Sequence, residues 1–210
     1  MKLIQEFWIE ALVGLALATM TYFGKKIPTL WRRAATRRFR KVIAHETAKH
    51  SLIQRIQNIT GAKRAVLCKA HNGGGIPVRG KPLRITIDWE EFDSPIQSLK
   101  SEWQGRTPDA EHLKALLDLT RLKQLTLSAD KLPSGEVKDT HDAEGLVYSL
   151  MKEIVPTKYC YWYIVLFYDS VENFTPEVNR KLKSYETKLK SVLTNSATLY
   201  ELEAWAIGSF

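Results

Sequence analysis

Cysteine is scarce in this sequence, with two in 210 residues. Two thiols exclude a disulfide framework and a Cys-rich zinc module, so any core must hold together by packing. Glycine and proline are also few, at 11 and 8, which excludes collagen-like or low-complexity character. Catalytic signatures are missing too. No Ser/His/Asp, Cys/His or paired-carboxylate constellation stands out, so no enzymatic activity is expected. Neither a P-loop nor a dinucleotide fingerprint is present, because Gly73-Gly74-Gly75 lacks both the GxGxxG spacing and a following Gly-Lys-Ser/Thr.

What the chain does contain is apolar bulk, 44% of its residues. That suits one folded domain plus an appendage. The net charge is +8, but it is concentrated in one place. Lys25, Lys26, Arg32, Arg33, Arg37, Arg38, Arg40 and Lys41 follow one another with no acid among them. Removing these eight leaves 23 basic residues against 23 acidic ones. The remainder is neutral, which argues against a general nucleic-acid binder.

Just before this stretch, Phe7 to Phe23 forms an apolar run in which Glu10 is the only charge. Seventeen residues at helical rise span about 26 Å, just short of a hydrocarbon core of ~30 Å. Trp8, Tyr22 and Phe23 stand near its ends, as interfacial aromatics do. A short transmembrane or membrane-anchoring helix is therefore expected over 1–24, followed by a basic juxtamembrane segment over 25–41 and a globular domain over 42–210. The eight basic residues are expected to meet anionic lipid, and the positive-inside bias places the domain in the cytoplasm. Pro28 is expected to stop the span from running on as one helix.

The body begins with an amphipathic helix carrying Leu52, Ile53, Ile56 and Ile59, closed by Gly61. A strand over Arg64–Ala70 leads into a glycine-rich loop over 71–77. Leu83, Ile85, Ile87 and Trp89 alternate with polar residues, as in a strand with one buried face. The acids Asp88, Glu90, Glu91 and Asp93 are then expected at a solvated surface. Residues 92–108 read as loop, and Thr107-Pro108-Asp109 opens a helix carrying Leu113, Leu116 and Leu117. Thr126–His141 reads as loop or weak edge strand, and Ala143–Val155 as a helix stopped before Pro156. Tyr159–Tyr168, aromatic and β-branched throughout, reads as a central strand. A last helix after Thr175-Pro176-Glu177 carries Val178, Leu182, Tyr185, Leu189 and Val192, a seam for packing on the sheet or for pairing with a second copy. The class is α+β, a central antiparallel sheet flanked by N- and C-terminal amphipathic helices.

Two segments resemble the GAF domain family. Ile59-Thr60-Gly61-Ala62-Lys63-Arg64-Ala65-Val66-Leu67 is similar to its opening helix, turn and first strand. Tyr163-Ile164-Val165-Leu166-Phe167-Tyr168 with Phe174-Thr175-Pro176-Glu177 and the helix beyond is similar to its closing elements. The resemblance implies a non-catalytic sensory or interaction module. It would bind a small ligand or protein partner beside Cys68, His71, Asn72, Gly73 and Gly74 and dimerise through its terminal helices. A wide hairpin loop with no ligand remains the competing reading of those glycines. No counterpart of a bilin-attachment cysteine is recognisable, and no cofactor is expected. His45, His50, His71, His112 and His141 lack metal-ligand spacing, and Cys68 and Cys160 read as buried thiols that become neighbours if their strands are adjacent. Two other functions fit the outline: a phage holin-type lysis protein with one N-terminal span, and a nucleic-acid or anionic-lipid binder acting through the basic segment.

Overall fold

The computed structural model describes residues 2–72, 80–93, 97–157, 160–170 and 176–207. For 2–30 and 195–207 it describes the backbone, with side chains only at Thr19, Tyr22, Gly24 and Lys26. The chain divides into two compact units, Met1–Glu46 and Thr47–Phe210.

The first unit is helical. It is the N-terminal part of α1, which spans Lys2–Thr60. The expected break at Pro28 is corrected, because the helix continues through it. A proline costs about 3 kcal/mol in a helix interior, and here it is followed by the strong helix formers Leu30, Arg32, Arg33, Ala34 and Ala35. The apolar run expected to cross a membrane is helical in backbone, but most of its side chains lie outside the described residues. Among the described residues, no helix is long and apolar enough to cross a membrane.

The second unit is built on a six-stranded antiparallel sheet. Its strands are β1 (Arg64–His71), β2 (Arg84–Phe92), β3 (Gln104–Arg106), β4 (Gln124–Ser128), β5 (Tyr148–Pro156) and β6 (Tyr161–Tyr168), in the order β3-β2-β1-β6-β5-β4. The helices α2 (Ala110–Leu122) and α3 (Glu136–Glu144) and a short 3₁₀ turn (Ala129–Lys131) lie between β3 and β5 in sequence, and α4 (Pro176–Ile207) follows β6. The end of α1 and α4 cover one face, where Ile53, Ile56, Leu182 and Leu189 bury against Leu67, Ile164 and Leu166. On the other face Leu116 and Leu119 of α2, which packs over β4 and β5, belong to one apolar cluster with Val66, Ile85, Ile87 and Val165. Central strands covered on both sides explain the unbroken apolar character of β6. The α4 seam packs on its own sheet, with Leu193 buried in place of Val192.

Two sequence expectations are corrected. Residues 143–155 do not form one helix: Gly145, at φ 62°, ends α3, and Tyr148–Pro156 enters the sheet beside β6. Leu-Val-Tyr-Ser-Leu-Met is an apolar run without clear periodicity, and burial on both faces decides for strand. Asp88, Glu90 and Glu91 of β2 are not at a solvated surface, whereas Asp93, just past the strand, is exposed as expected. A bulge inserts Asp88 between Ile87, opposite Cys68, and Trp89, opposite Leu67. Asp88 and Trp89 consequently both face α1, and the alternation is inverted beyond them. Asp88 pairs with Lys49 at 2.6 Å and with Lys69 at 3.1 Å. Trp89 packs against the tilted ring of His50 at 5.0 Å, and His50 contacts Glu91 at 2.7 Å. Gln57 donates to Asp93 at 3.0 Å. Glu90 turns to the opposite face and meets Arg64.

Arg64 is fully buried. It bonds Glu90, donates to the Gln97 carbonyl at 2.6 Å, and holds both oxygens of Glu144 at 2.5 and 3.2 Å. One side chain therefore joins β1, β2, the segment after β2 and the end of α3. Arg64→Met would leave two carboxylates without their partner. It is expected to lower unfolding stability in urea by about 3–5 kcal/mol. Arg64→Lys should recover less than half of the loss, because one ammonium cannot reproduce the planar fork.

Candidate functional site

Between the sheet and the α2/α3 layer lies a cavity of about 50 Å³. Its floor is Cys68 of β1, Ile85 and Ile87 of β2, Ser149 and Met151 of β5, and Tyr163 and Phe167 of β6. Leu99, Trp103, His112, Val137 and Thr140 close it from above. A cleft of about 670 Å³ adjoins it and shares Leu99, Trp103 and Thr140. The cleft is polar, with Lys63, Arg106, Glu102, Glu136, Asp139 and Glu144 among its lining residues. Trp103 thus stands in the wall between the two.

Capping chemistry holds that wall in place. Asp109 is the N-cap of α2, accepting from the His112 amide at 2.8 Å, and its second oxygen accepts from the Glu136 amide at 2.9 Å at the start of α3. One carboxylate therefore serves two helix N-termini. Gly135 permits the approach, since a Cβ there would lie 2.7 Å from Asp109 Oδ2. Arg106 bonds Glu136 at 2.6 Å and lays its guanidinium 5.0 Å from the Trp103 ring. His112 packs against that ring at 5.2 Å.

Several buried polar atoms around the cavity lack a nitrogen or oxygen partner: His112 Nδ1, Ser149 Oγ and the Tyr163 hydroxyl. Tyr163 and Cys68 face each other across the β1–β6 pair, where the thiol is a weak partner for the hydroxyl. Burial pushes the Tyr163 hydroxyl well up, and pushes the Cys68 thiol up to about 12. Burial also brings His112 down to about 4, with Asp109 opposing and Arg106 assisting. All these groups are neutral near pH 7. The cavity is thus mostly apolar, uncharged, and large enough for only a few water-sized groups.

Of the residues expected to meet a ligand, Cys68 lines this cavity. His71 does not, because it sits at the far end of β1, where its ring bonds Thr86 at 2.9 Å. Asn72 follows in a bend, and Gly73 and Gly74 lie outside the described residues. Cys68 and Cys160 are both buried free thiols, and Cys68 pairs across from Tyr163. Among the described residues no His/Cys/Asp/Glu group could hold a metal ion. Sequence reading missed Trp103, His112, Ser149 and Tyr163. Alternation along β6 from Phe167 and Val165 places Tyr163 on the cavity face, whereas Trp103 comes from a segment with no periodicity. In the basic segment, Lys26, Arg32, Arg33, Arg37, Arg38, Arg40 and Lys41 are exposed on α1, and the Lys25 side chain lies outside the described residues.

No protein-family model matches the chain, and no curated protein matches it in sequence. Its fold is that of GAF domains. It is similar to the phycoerythrobilin-bound GAF domain of a cyanobacterial phytochrome (TM-score 0.54, 13% identity, covering 80% of this chain and 95% of that one). A GAF domain/HD domain protein from Geobacter sulfurreducens is similar at TM-score 0.53 and 9% identity, covering 74% and 94%. The GAF domain of a two-component sensor histidine kinase from Bacillus halodurans gives 0.51 and 13%, covering 72% and 96%. At these identities the likeness speaks for the fold. The cavity alone is smaller than the several hundred Å³ usual for a site that encloses a drug-sized ligand.

The His112 shift makes a pH prediction. Its pKa is lower in the folded chain than unfolded, so its contribution to stability is complete above pH 6.5. That contribution is lost as the pH falls from 6.5 toward 4, at about 1.4 kcal/mol per unit at most. Chemical denaturation across this window should show the decline. The difference between the wild type and His112→Gln isolates it, because His141 is shifted in the same direction.

Proposed function

We propose that this chain is a non-catalytic sensory module in which a GAF-like domain binds a small molecule at the Trp103 wall. The observation that carries the reading is the junction of an uncharged cavity with a polar cleft at three shared residues, Leu99, Thr140 and the large Trp103 ring. A ligand with an apolar, uncharged end would place it in the cavity and its polar remainder among Lys63, Arg106 and the carboxylates of the cleft. Such a ligand would displace Trp103, move α2 and α3 against the sheet, and so alter the surface a partner reads. The partner is a protein or a second copy of the chain.

The module would be attached to the cytoplasmic face of a membrane through its N-terminal helix. Support for this comes from the sequence: an apolar run over Phe7–Phe23 followed directly by eight basic residues, in the order that the positive-inside bias favours for a cytoplasmic domain.

Thermal unfolding of the full chain against a library of small molecules tests the sensory reading. At least one compound is expected to raise the midpoint by several degrees, and Ser149→Met, which fills the cavity, should remove that rise. A library without a stabilising compound, or a rise that survives Ser149→Met, would count against the site.

A further inference from the structure

The segment after the apolar run is more than a cluster of charges. It is helical, and its described side chains from Trp31 to Ile43 are all exposed. At about 100° per residue, Trp31, Ala35, Phe39 and Val42 fall on one stripe, within a sector of ~80°. Lys26, Arg33, Arg37, Arg40 and Lys41 fall on the opposite side, within ~100°. Trp31 and Phe39 are each 66% exposed, and Val42 and Ile43 are 44% and 49% exposed. Arg32 and Arg38 flank the apolar stripe, where long stems can lie along it while their charges reach outward.

We infer that residues 26–43 form a lipid-surface helix. The stripe Trp31–Ala35–Phe39–Val42 would be embedded at the boundary between headgroups and acyl chains of an anionic membrane, with the basic side against the phosphates. The inference rests on the membrane-attachment reading and gives it a geometry: α1 runs unbroken through Pro28 in the free chain, so seating 26–43 in the surface while Phe7–Phe23 enters the bilayer requires the helix to bend at that proline on binding. The occupant follows from the two faces together. Aromatic and β-branched residues opposite a strip of Lys and Arg match the pattern of helices that lie in the interface plane. Each cation close to an anionic surface adds about 1 kcal/mol. A nucleic acid would engage the basic side and leave the apolar stripe in water. A second copy meeting at the stripe would do nothing for the charges. An anionic lipid surface uses both.

Site-directed spin labelling of the full chain tests this, because Cys68 and Cys160 are buried and leave an introduced thiol as the reactive one. Labels at Phe39→Cys and Arg37→Cys are compared in phosphatidylcholine vesicles with and without 30% phosphatidylserine. Oxygen serves as the lipid-side probe and a nickel chelate as the water-side probe. With phosphatidylserine, the label at 39 should be at least threefold more accessible to oxygen than the label at 37, and the nickel chelate should show the reverse. The contrast should collapse without phosphatidylserine or in 0.5 M salt. Equal accessibilities at the two sites would overturn the proposal, as would a contrast independent of phosphatidylserine. So would a label at 39 shielded from both probes in lipid-free protein, which marks a second copy, or protection of 37 by duplex DNA that survives added vesicles. Flotation of the same samples separates the two readings. A chain that floats without the contrast retains attachment and loses the surface helix, whereas a chain that floats with neither vesicle loses both.

Discussion

A buried guanidinium organises this domain. Arg64 lies at the start of the central strand β1 with no solvent contact, in a place where an unpartnered cation would cost several kcal/mol. Burial pulls its pKa down while Glu144 pulls it back up, and the group stays charged because it has carboxylates on two sides and a carbonyl on a third. Burial likewise raises the Glu144 carboxyl, with Arg64 opposing. The consequence is geometric. The segment carrying Gln97 and Leu99, the end of α3 and the turned-over end of β2 must all converge on one side chain. Leu99 and the residues of α3 that close the cavity are therefore fixed from the cluster outward.

The bulge at Asp88 makes that convergence workable. Without the extra residue Glu90 would face α1, and Arg64 would lack one of its two carboxylates. With it, Asp88 is free to join α1 to β1 through Lys49 and Lys69. Burial would raise the Asp88 carboxyl, but the two ammonium groups outweigh it and hold it below its ordinary value. The domain thus carries an ionic connection on each face of the sheet, with apolar packing between. Asp109, capping α2 and α3 together, completes the frame around Trp103. The wall between cavity and cleft is held by hydrogen bonds at its edges and by ring contacts at its centre.

Much of this frame was legible in the residues. The GAF-like ends, the central strand at Tyr161–Tyr168, the helix capped at Asp109 and the stop at Gly61 all follow from local chemistry, with the signal in a few positions. The bulge was not legible, because an alternating pattern gives no sign that one residue has been inserted, and it inverted the expected exposure of Glu90. Strand β5 was missed because its apolar run fits either helix or strand until the neighbouring strand is known. The expected site at the glycine loop was read from strand-end position alone. The cavity forms farther down the same strand, at Cys68, where β1, β5 and β6 meet residues from three separate stretches of chain. Such long-range convergence leaves no local signature.

The sensory reading depends on an uncharged cavity whose roof is tied down at Arg64, so the state of that side chain is the most direct test of the account. Nitrogen-15 NMR of the arginine side chains in the full chain near pH 7 would report it. The account predicts that one guanidinium, assigned to Arg64 through its loss in Arg64→Lys, shows separately resolved Nη signals with slow rotation and slow solvent exchange. A single averaged, rapidly exchanging signal for Arg64 would mean that the cluster is open in solution, and would contradict it.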